Sequence, residues 1–400
     1  MKLAIFSDNF YPELGGIQDS IALLGKELSN KGHQVNFYVP ECQAKDFTVA
    51  KLPAEEINLG KNVKIIRFFS LPVPSPTKQS RMVIPTGLRW LELKKFNPDI
   101  IHTHTFFGLG IEALTAGRFL KKPVIGTNHF SITEYGCYYP KFCQEWFKRN
   151  SLKYVIWYYN NCDFVTAPSQ TVFTEMLEYG FYKPHQVLSN QIDLAVFNRK
   201  YDKQKAKERF KLSDNTIVFA GKLAREKNID IVIRAVELVK REVKDINFAI
   251  AGHGSDREKL KELAKDLHIE KEVKFMGTFN HKTLAKLYRA SDIFTIASTS
   301  ESQSMVLLQA MACGLPVIGV NWRALPEYIN RHNGYTVPAN NPKAMADKII
   351  HLLRHEYERK SLGQGGLAYV QQFSAARVAD QWIELYNKII KNFDKKKDRV

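Results

Sequence analysis

The stretch "FTIASTSESQSMVLLQAMACGLPVIGV", from Phe294 to Val320, determines the fold class. A short strand-like run is followed by a polar loop, an apolar helical segment, a Gly-Pro step and a second strand-like run. Such a unit joins parallel strands, because a parallel pair needs a long crossover connection. Glu301 lies in the loop before the helix, and Gln309 follows eight residues later. The stretch therefore predicts a parallel α/β sheet and marks its loop as a candidate ligand site.

The same alternation extends over most of the chain. Strand-like runs such as "KLAIFS", "PVIGTNH" and "INFAIAGHG" alternate with helical segments such as "NIDIVIRAVELVKREV". Two series of these units are separated by a polar segment near residues 198–215, so two Rossmann-like domains are expected. We predict an N-terminal domain over 1–197, a C-terminal domain over 198–374, and a C-terminal helix, about 375–392, that packs back on the N-terminal domain. The strand-end loops of the two domains are expected to face a shared cleft.

Composition places the chain among globular proteins. Its 400 residues are 44% hydrophobic and 25% charged, and no apolar run approaches the ~20 residues of a membrane-spanning helix. The N-terminus lacks a signal-peptide pattern, and the five cysteines are scattered without a CxxC motif. These features predict a cytoplasmic protein with reduced thiols.

The charge is strongly positive, at +17. Between Lys61 and Lys153 there are 15 Lys and Arg against 5 Asp and Glu. A basic surface attracts anionic lipid, nucleic acid or an anionic substrate, and charge by itself does not choose among them.

Two loops at strand ends offer anion-binding chemistry. Gly15 and Gly16 precede a predicted helix, where backbone N–H groups can approach an anion, although taken alone the pair is better explained by an ordinary tight turn. The GxGxxG fingerprint of dinucleotide enzymes is absent. Lys222 and Lys227 follow a strand in "FAGKLAREKNID" and suit a diphosphate, or alternatively form a solvated basic turn.

The loop "TSESQS" offers a third site. A structural helix cap would more usually be Ser, Thr or Asp than Glu301, so this carboxylate is a candidate acceptor for sugar hydroxyls. Adjacent helix N–H groups could hold phosphate. Gln309, roughly 12 Å further along a continuous helix, could reach a ribose. That length suits a nucleotide sugar.

Histidines follow strand-like runs in the N-terminal half. His102 and His104 lie in "IHTHTFFGLG" and His129 in "GTNHFSITEY", which makes them candidates for the same cleft. Metal binding is the rival interpretation. No Asp-x-Asp occurs in the chain, so we expect lysines and helix ends, rather than a metal, to neutralise a diphosphate.

Several ordered motifs together resemble the retaining glycosyltransferases of family 4, which have the GT-B fold of two facing Rossmann-like domains. They are "FYPELGGI", "HTHT", "TNHF", "SNQIDLAVF", "GKLAREKN", "AGHGSDREKL" and "ESQSMVLLQAMACGLPVIG". The resemblance implies transfer of a sugar from a nucleotide diphosphate donor with retention at the anomeric carbon. Within the family, "HTHTFFGLG", "TNHF" and the "SN-x-ID" run look most like the branch that glycosylates diacylglycerol, which implies UDP-glucose or another UDP-hexose.

The resemblance assigns roles to individual residues. Glu301 matches the first acid of the family's Glu-x7-Glu motif, and Gln309 replaces the second acid, where an amide can still bind ribose hydroxyls. Lys227 matches a family lysine, Lys222 stands where Arg is more frequent, and Gln191 replaces a usual Gly.

The predicted site follows from these roles. The predicted catalytic residues are His129, Lys222, Lys227 and Glu301. The predicted donor site comprises Gly15, Gly16, Lys222, Lys227, Glu301, Ser302, Gln303, Ser304, Met305 and Gln309. The acceptor-side candidates are His104, Asn128 and Tyr135. Neither a cofactor nor a metal is expected.

Two segments interleave basic and aromatic residues in a pattern typical of membrane-surface helices. They are "YPKFCQEWFKRNSLKYVIWYYNN", whose aromatic residues include Tyr158 and Tyr159, and "KQSRMVIPTGLRWLELKKF". The alternative is that the aromatic residues pack in the core. The predicted membrane contacts are Arg81, Arg89, Lys94, Lys95, Lys148, Arg149 and Lys153.

The sequence thus predicts a peripheral membrane enzyme that glycosylates a lipid. The alternatives are a transferase of polysaccharide, lipopolysaccharide or capsule assembly, a nucleotide-sugar epimerase or hydrolase, and a basic nucleic-acid-binding protein. The last lacks a recognisable binding module and does not explain Glu301.

Overall fold

A computed structural model of the chain describes residues 1–13, 15–50, 52–73, 79–130 and 144–397, without the side chains of residues 49, 50, 147, 148 and 396. The chain divides into two compact units. The first comprises Met1–Gln191 together with Ala375–Val400, and the second comprises Ile192–Ser374.

The described strands of the first unit form a parallel sheet and a separate two-stranded antiparallel pair. The elements in chain order are β1 (Lys2–Phe6), α1 (Gly16–Asn30), β2 (Gln34–Pro40), α2 (Ala44–Ala50), β3 (Val63–Phe68), β4 (Leu71–Pro72), β5 (Arg81–Met82), α3 (Trp90–Phe96), β6 (Ile100–Thr103), α4 (Gly108–Leu120), β7 (Val124–Thr127), α5 (Gln144–Tyr159), β8 (Phe164–Ala167), α6 (Gln170–Glu178) and β9 (His185–Val187). The seven-stranded sheet has the order β3-β2-β1-β6-β7-β8-β9, and all of its pairs are parallel.

The second unit contains a six-stranded parallel sheet. Its elements are α7 (Lys203–Phe210), β10 (Asn215–Ala220), a 3-10 helix (Arg225–Lys227), α8 (Ile229–Glu242), β11 (Ile246–Ala251), α9 (Arg257–Asp266), β12 (Val273–Gly277), α10 (His281–Ala290), β13 (Ile293–Ile296), α11 (Met305–Ala312), β14 (Val317–Val320), α12 (Leu325–Tyr328), β15 (Gly334–Val337), α13 (Pro342–Arg354), α14 (Glu356–Val370) and a second 3-10 helix (Gln371–Phe373). The strand order is β12-β11-β10-β13-β14-β15.

The stretch Phe294–Val320 forms the end of β13, then α11 and β14, and these two strands pair in parallel. The predicted strand–helix–strand unit is therefore confirmed. The inner strands β1, β6, β11 and β13 are almost entirely buried, as expected where helices cover both faces of a sheet. The edge strands β3, β9 and β12 are more exposed.

The last helix, α15 (Ala375–Lys397), belongs to the first unit. Its apolar residues Val378, Trp382 and Tyr386 are buried in a cluster with α1 and the neighbouring strands. A strongly apolar stripe on a charged 23-residue helix produces this packing, because residues three or four apart share one face. Within the described part of the chain, no helix has the length and apolar character needed to cross a membrane.

Candidate active site

The second unit brings Lys227 and Glu301 into direct contact. Lys227 Nζ lies 2.7 Å from Glu301 Oε1, and the two side chains are 18% and 11% exposed. Glu301 lies in the loop between β13 and α11, and Lys227 ends the 3-10 helix that follows β10. Because β10 and β13 are neighbours in the sheet, their carboxyl ends place the two loops side by side.

Hydrogen bonds between the two loops fix this arrangement. Asn228 has a left-handed backbone (φ 47°), which Asn tolerates, and its Nδ2 donates to Ala297 O at 3.2 Å and to Thr299 Oγ1 at 3.2 Å. The backbone N–H of Thr299 donates to Glu226 O at 3.1 Å. These hydrogen bonds between the loop after β10 and the loop after β13 therefore hold Lys227 beside Glu301.

Close backbone contacts shape the loop around Lys222. Gly252 has φ 151°, and a Cβ at this position would lie 1.8 Å from Gly221 O, so only glycine fits here. The N–H of Leu223 donates to His253 O at 3.0 Å, which joins the loops after β10 and β11. Lys222 itself is exposed, and the ion pairs between described residues do not include it.

The N-terminus of α11 contains buried polar atoms without partners. Ser304 precedes the helix and makes no capping hydrogen bond. Its Oγ and Gln309 Oε1 are both buried and have no hydrogen-bond partner among the described residues. Buried polar groups normally have partners, so these two atoms suit a polar ligand.

One geometric expectation at α11 is wrong. The helix begins at Met305, so residues 301–304 are not helical and Gln309 is one turn inside the helix. The spacing of roughly 12 Å for a continuous helix between Glu301 and Gln309 does not apply.

The first unit brings three histidines together. His104 Nδ1 lies 2.9 Å from His129 Nε2, and the rings of His102 and His104 are 3.9 Å apart. His102 lies within β6 rather than past its end, and it is completely buried. Both of its ring nitrogens are hydrogen-bonded, Nδ1 to Tyr386 Oη at 2.7 Å and Nε2 to Thr127 Oγ1 at 2.6 Å.

The histidines are held in the neutral state. Burial lowers the pKa of His129 to about 3, and it lowers the pKa of His102 and of His104 well below the usual value. The group therefore offers hydrogen-bond donors and acceptors rather than positive charge.

Of the two remaining acceptor-side candidates, the structure describes Asn128 and does not describe Tyr135. Asn128 is buried, and its Nδ2 contacts Met176 Sδ at 3.3 Å while its Oδ1 accepts from the N–H of Phe130 at 3.1 Å. Tyr135 lies outside the described residues.

Two family models match the chain, Glycosyltransferase Family 4 over residues 14–196 and Glycosyl transferases group 1 over residues 200–368. The alpha-monoglucosyldiacylglycerol synthase of Streptococcus pneumoniae is 32% identical over 326 residues, which cover 80% of this chain and 70% of that protein. The chain is a family 4 glycosyltransferase.

Two further similarities extend over nearly the whole chain. The N-acetyl-alpha-D-glucosaminyl L-malate synthase of Bacillus anthracis is 26% identical over 98% of both proteins. The crystal structure of Anabaena Alr3699/HepE in complex with UDP has a TM-score of 0.76 and 17% identity, covering 97% of this chain and 100% of that one. The predicted GT-B fold class is thereby confirmed, and family membership sets aside the epimerase and nucleic-acid-binding alternatives.

Three predicted positions in the first unit of the glycosyltransferase, Gly15, Gly16 and Gln191, were selected for their backbone conformation. Gly15 and Gly16 stand at the N-terminus of α1, where a helix start was predicted. Gln191 does not have a positive φ, and its Nε2 donates to Ser20 O. Gln191 therefore does not need the left-handed backbone that a glycine permits, and its side chain adds a hydrogen bond.

Four of the predicted membrane contacts are exposed, and the prediction for Arg81 is wrong. Arg149 and Lys153 on α5 are exposed, as are Lys94 and Lys95 on α3. Arg81 is not available at the surface, because its side chain is 7% exposed and pairs with the buried Asp46 at 3.4 Å.

The other basic and aromatic residues of the two predicted membrane segments have different environments. Arg89 lies over the ring of Phe68 at 4.2 Å. Tyr158 and Tyr159 are completely buried, so these two aromatic residues belong to the core, as the alternative interpretation held. The side chain of Lys148 lies outside what the structure describes.

Asp8 is a buried carboxylate that the sequence patterns did not single out. Asp8 follows β1, and its Oδ2 accepts from Thr105 Oγ1 at 2.7 Å while its Oδ1 accepts from the N–H of Leu109 at 3.1 Å. Burial raises the pKa of Asp8 to about 6. Asp8 could have been selected from the sequence, because it lies just after a strand, where ligand-binding residues of parallel sheets are found.

Proposed function

We propose that this glycosyltransferase moves glucose from UDP-glucose to a lipid acceptor such as diacylglycerol at a membrane surface, with retention at the anomeric carbon and without a metal ion. The observation that carries the donor half is the Lys227–Glu301 pair beside the N-terminus of α11. The acceptor half is supported by relatives in Streptococcus pneumoniae and Acholeplasma laidlawii that are both named alpha-monoglucosyldiacylglycerol synthase.

The proposal assigns the diphosphate to the cationic loop of the second unit. Lys227 is aligned by Glu301 at 2.7 Å, and the exposed Lys222 lies in the same loop. Two ammonium groups and the first N–H groups of α11 would stabilise negative charge on the departing diphosphate. This arrangement and the lack of an Asp-x-Asp motif are the reasons for proposing transfer without a metal.

The hexose and the ribose are assigned to the two ends of this loop–helix segment. Glu301 Oε1 accepts from Lys227, and its second carboxylate oxygen accepts no hydrogen bond from a described side chain, so it can accept from a sugar hydroxyl. Gln309 Oε1 is buried and has no hydrogen-bond partner in the part of the chain that the structure describes, and a ribose hydroxyl would supply the missing donor.

The acceptor side is assigned to the loops that follow β6 and β7. His129 is the proposed contact for the hexose or the reacting hydroxyl, with His104 behind it at 2.9 Å. A neutral imidazole can accept a hydrogen bond from a hydroxyl without adding charge beside the donor sugar.

Membrane attachment is proposed through α5. Trp146, Arg149, Lys153 and Trp157 are exposed and are spaced by three or four residues, so they share one side of the helix. Trp146 is 64% exposed and Trp157 is 51% exposed, which is unusual for such large apolar groups. Indole rings between basic residues suit an anionic bilayer interface, where each Lys or Arg contributes about 1 kcal/mol.

A donor-by-acceptor screen with mass detection tests the proposal. The donors are UDP-glucose, UDP-N-acetylglucosamine and GDP-mannose. The acceptors are diacylglycerol in vesicles and L-malate in solution, because a full-length relative is named for malate. We expect a monoglucosyl lipid from UDP-glucose. Transfer to the soluble acceptor alone would contradict the lipid assignment and favour a soluble or carrier-linked acceptor.

A vesicle experiment tests the membrane part separately. We expect the protein to co-sediment with phosphatidylglycerol vesicles at low salt. The variant R149E/K153E should bind less, whereas K265E/K271E, which reverses two exposed charges in the second unit, should bind like the wild type. Equal binding of the two variants would remove α5 from the membrane surface.

A further inference from the structure

The C-terminal helix contacts the histidine cluster of the first unit. Tyr386 on α15 places its Oη 2.7 Å from His102 Nδ1, across a sequence separation of 284 residues. Trp382, one turn earlier, packs its ring 4.6 Å from the ring of His102. Tyr386 and His102 are both completely buried. A helix remote in sequence therefore supplies one hydrogen bond and one ring face to this histidine.

His102 is fixed from both sides. Its Nε2 lies 2.6 Å from Thr127 Oγ1, and that oxygen lies 2.7 Å from Thr166 Oγ1. A neutral imidazole has one donor and one acceptor nitrogen, so Tyr386 and Thr127 together satisfy the ring completely. Rotation of the ring would break both hydrogen bonds inside the buried core, where each unpaired polar group costs about 1–3 kcal/mol.

The immobilised ring supports the next two histidines. The ring of His102 lies 3.9 Å from that of His104, and His104 Nδ1 lies 2.9 Å from His129 Nε2. The other nitrogen of His104 has no hydrogen-bond partner among the described residues. The orientation of His104 therefore depends on the hydrogen bond to His129 and on the face of His102.

We propose that Tyr386 is a positioning residue for transfer, acting through His102 and His104 on His129. This inference rests on the role proposed above for His129. Tyr386 sets the orientation of His102, His102 sets the plane of His104, and His104 holds the imidazole that meets the hexose or the reacting hydroxyl. Helix α15 thus has a positioning role in addition to its part in the hydrophobic core. Small displacements of a positioned group are costly, since the reacting atoms must be held close to their reactive geometry.

The test removes one oxygen atom. Tyr386→Phe should lower kcat about tenfold, within the range of coupling between residues in contact, and leave the KM for UDP-glucose unchanged. Tyr288→Phe is the matched control, because this completely buried tyrosine has a hydroxyl without a partner among the described residues. It should retain wild-type turnover. Thr127→Val removes the hydrogen bond on the opposite side of His102, and it should also lower kcat. This variant replaces Tyr386→Phe as the test if Tyr386→Phe does not fold.

A double-mutant cycle separates positioning from general destabilisation. In the His129→Ala background, Tyr386→Phe should cause less than about a twofold further loss, because the residue on which it acts is gone. A loss of the same factor in both backgrounds would overturn the inference, and so would wild-type turnover of both Tyr386→Phe and Thr127→Val. Wild-type turnover of His129→Ala would overturn the role of His129 and this inference with it, while glucose transfer itself would stand.

Discussion

Replacement of Lys227 by Met tests the donor site most directly. The change removes the ammonium group and keeps a side chain of similar length. At 2.7 Å, the direct attraction to Glu301 is about 6 kcal/mol for an effective dielectric constant of ~20, and desolvation of both groups offsets most of it. Removal of one partner of a buried pair typically costs about 3–5 kcal/mol, and residual exposure of 18% and 11% places this pair near the lower end.

The effect on activity should be comparable in size to the effect on folding, because each factor of ten in rate corresponds to about 1.4 kcal/mol. Loss of one preorganised electrostatic contact lowers kcat by about 10²–10³-fold, so we expect at least ~10²-fold for Lys227→Met and similarly for Glu301→Ala. Glucosyl lipid and released UDP, measured by mass spectrometry, give the rates. Urea unfolding gives the stability, with a loss of about 3 kcal/mol expected for Lys227→Met.

Two further proteins make this result interpretable. Lys240→Met breaks an ion pair of similar length but greater exposure in the same unit, at 2.8 Å from Glu272, and should not change kcat. The double variant K227M/E301Q leaves neither charge unpaired, so it should recover stability but not activity. If folded Lys227→Met turns over within about threefold of the wild type, the assignment of the diphosphate site is refuted.

Four other outcomes are expected. His129→Ala should lower turnover by about 10²-fold without unfolding the protein, and unchanged turnover would remove it from the site. Transfer should persist in EDTA, and activity that is abolished by EDTA and restored by Mg²⁺ or Mn²⁺ would contradict the proposed metal independence. Binding to anionic vesicles should weaken at high salt, whereas a wild-type protein that stays in the supernatant at low salt would refute membrane attachment. The raised pKa of Asp8, about 6, means that its carboxyl stabilises the fold below about pH 4, and this contribution of about 3 kcal/mol is lost as pH rises through 6. Urea unfolding of Asp8→Asn should lack this pH-dependent part, and identical pH profiles for both proteins would contradict it.

Local sequence patterns predicted the architecture well. The alternation of strand-like runs, amphipathic helices and Gly stops predicted parallel α/β sheets in both halves, and Phe294–Val320 formed the expected β13–α11–β14 unit. Strand-end loops could also be selected, because the carboxyl ends of neighbouring parallel strands lie at one edge of a sheet. That rule led to Lys227 and Glu301 and to His104 and His129, and the structure brings each of these pairs into contact.

Burial was harder to predict, because interleaved basic and aromatic residues occur both on membrane surfaces and around cores. In one such segment, Trp146 and Trp157 are exposed while Tyr158 and Tyr159 are completely buried. The same ambiguity led to Arg81 as a surface residue, although its side chain pairs with a buried acid. Sequence spacing gives the side of a helix, but which side meets the core depends on packing with distant elements.

Local sequence patterns specify which segments become strands and helices, because periodicity, Gly stops and turn residues act over a few neighbours. Which buried polar groups meet depends instead on how distant segments pack. Tyr386 meets His102 only because α15 returns to the first unit, across 284 residues. Asp8 has a raised pKa only because several segments close over it and remove water. Such contacts depend on desolvation and on the packing of remote segments, and no local pattern specifies either.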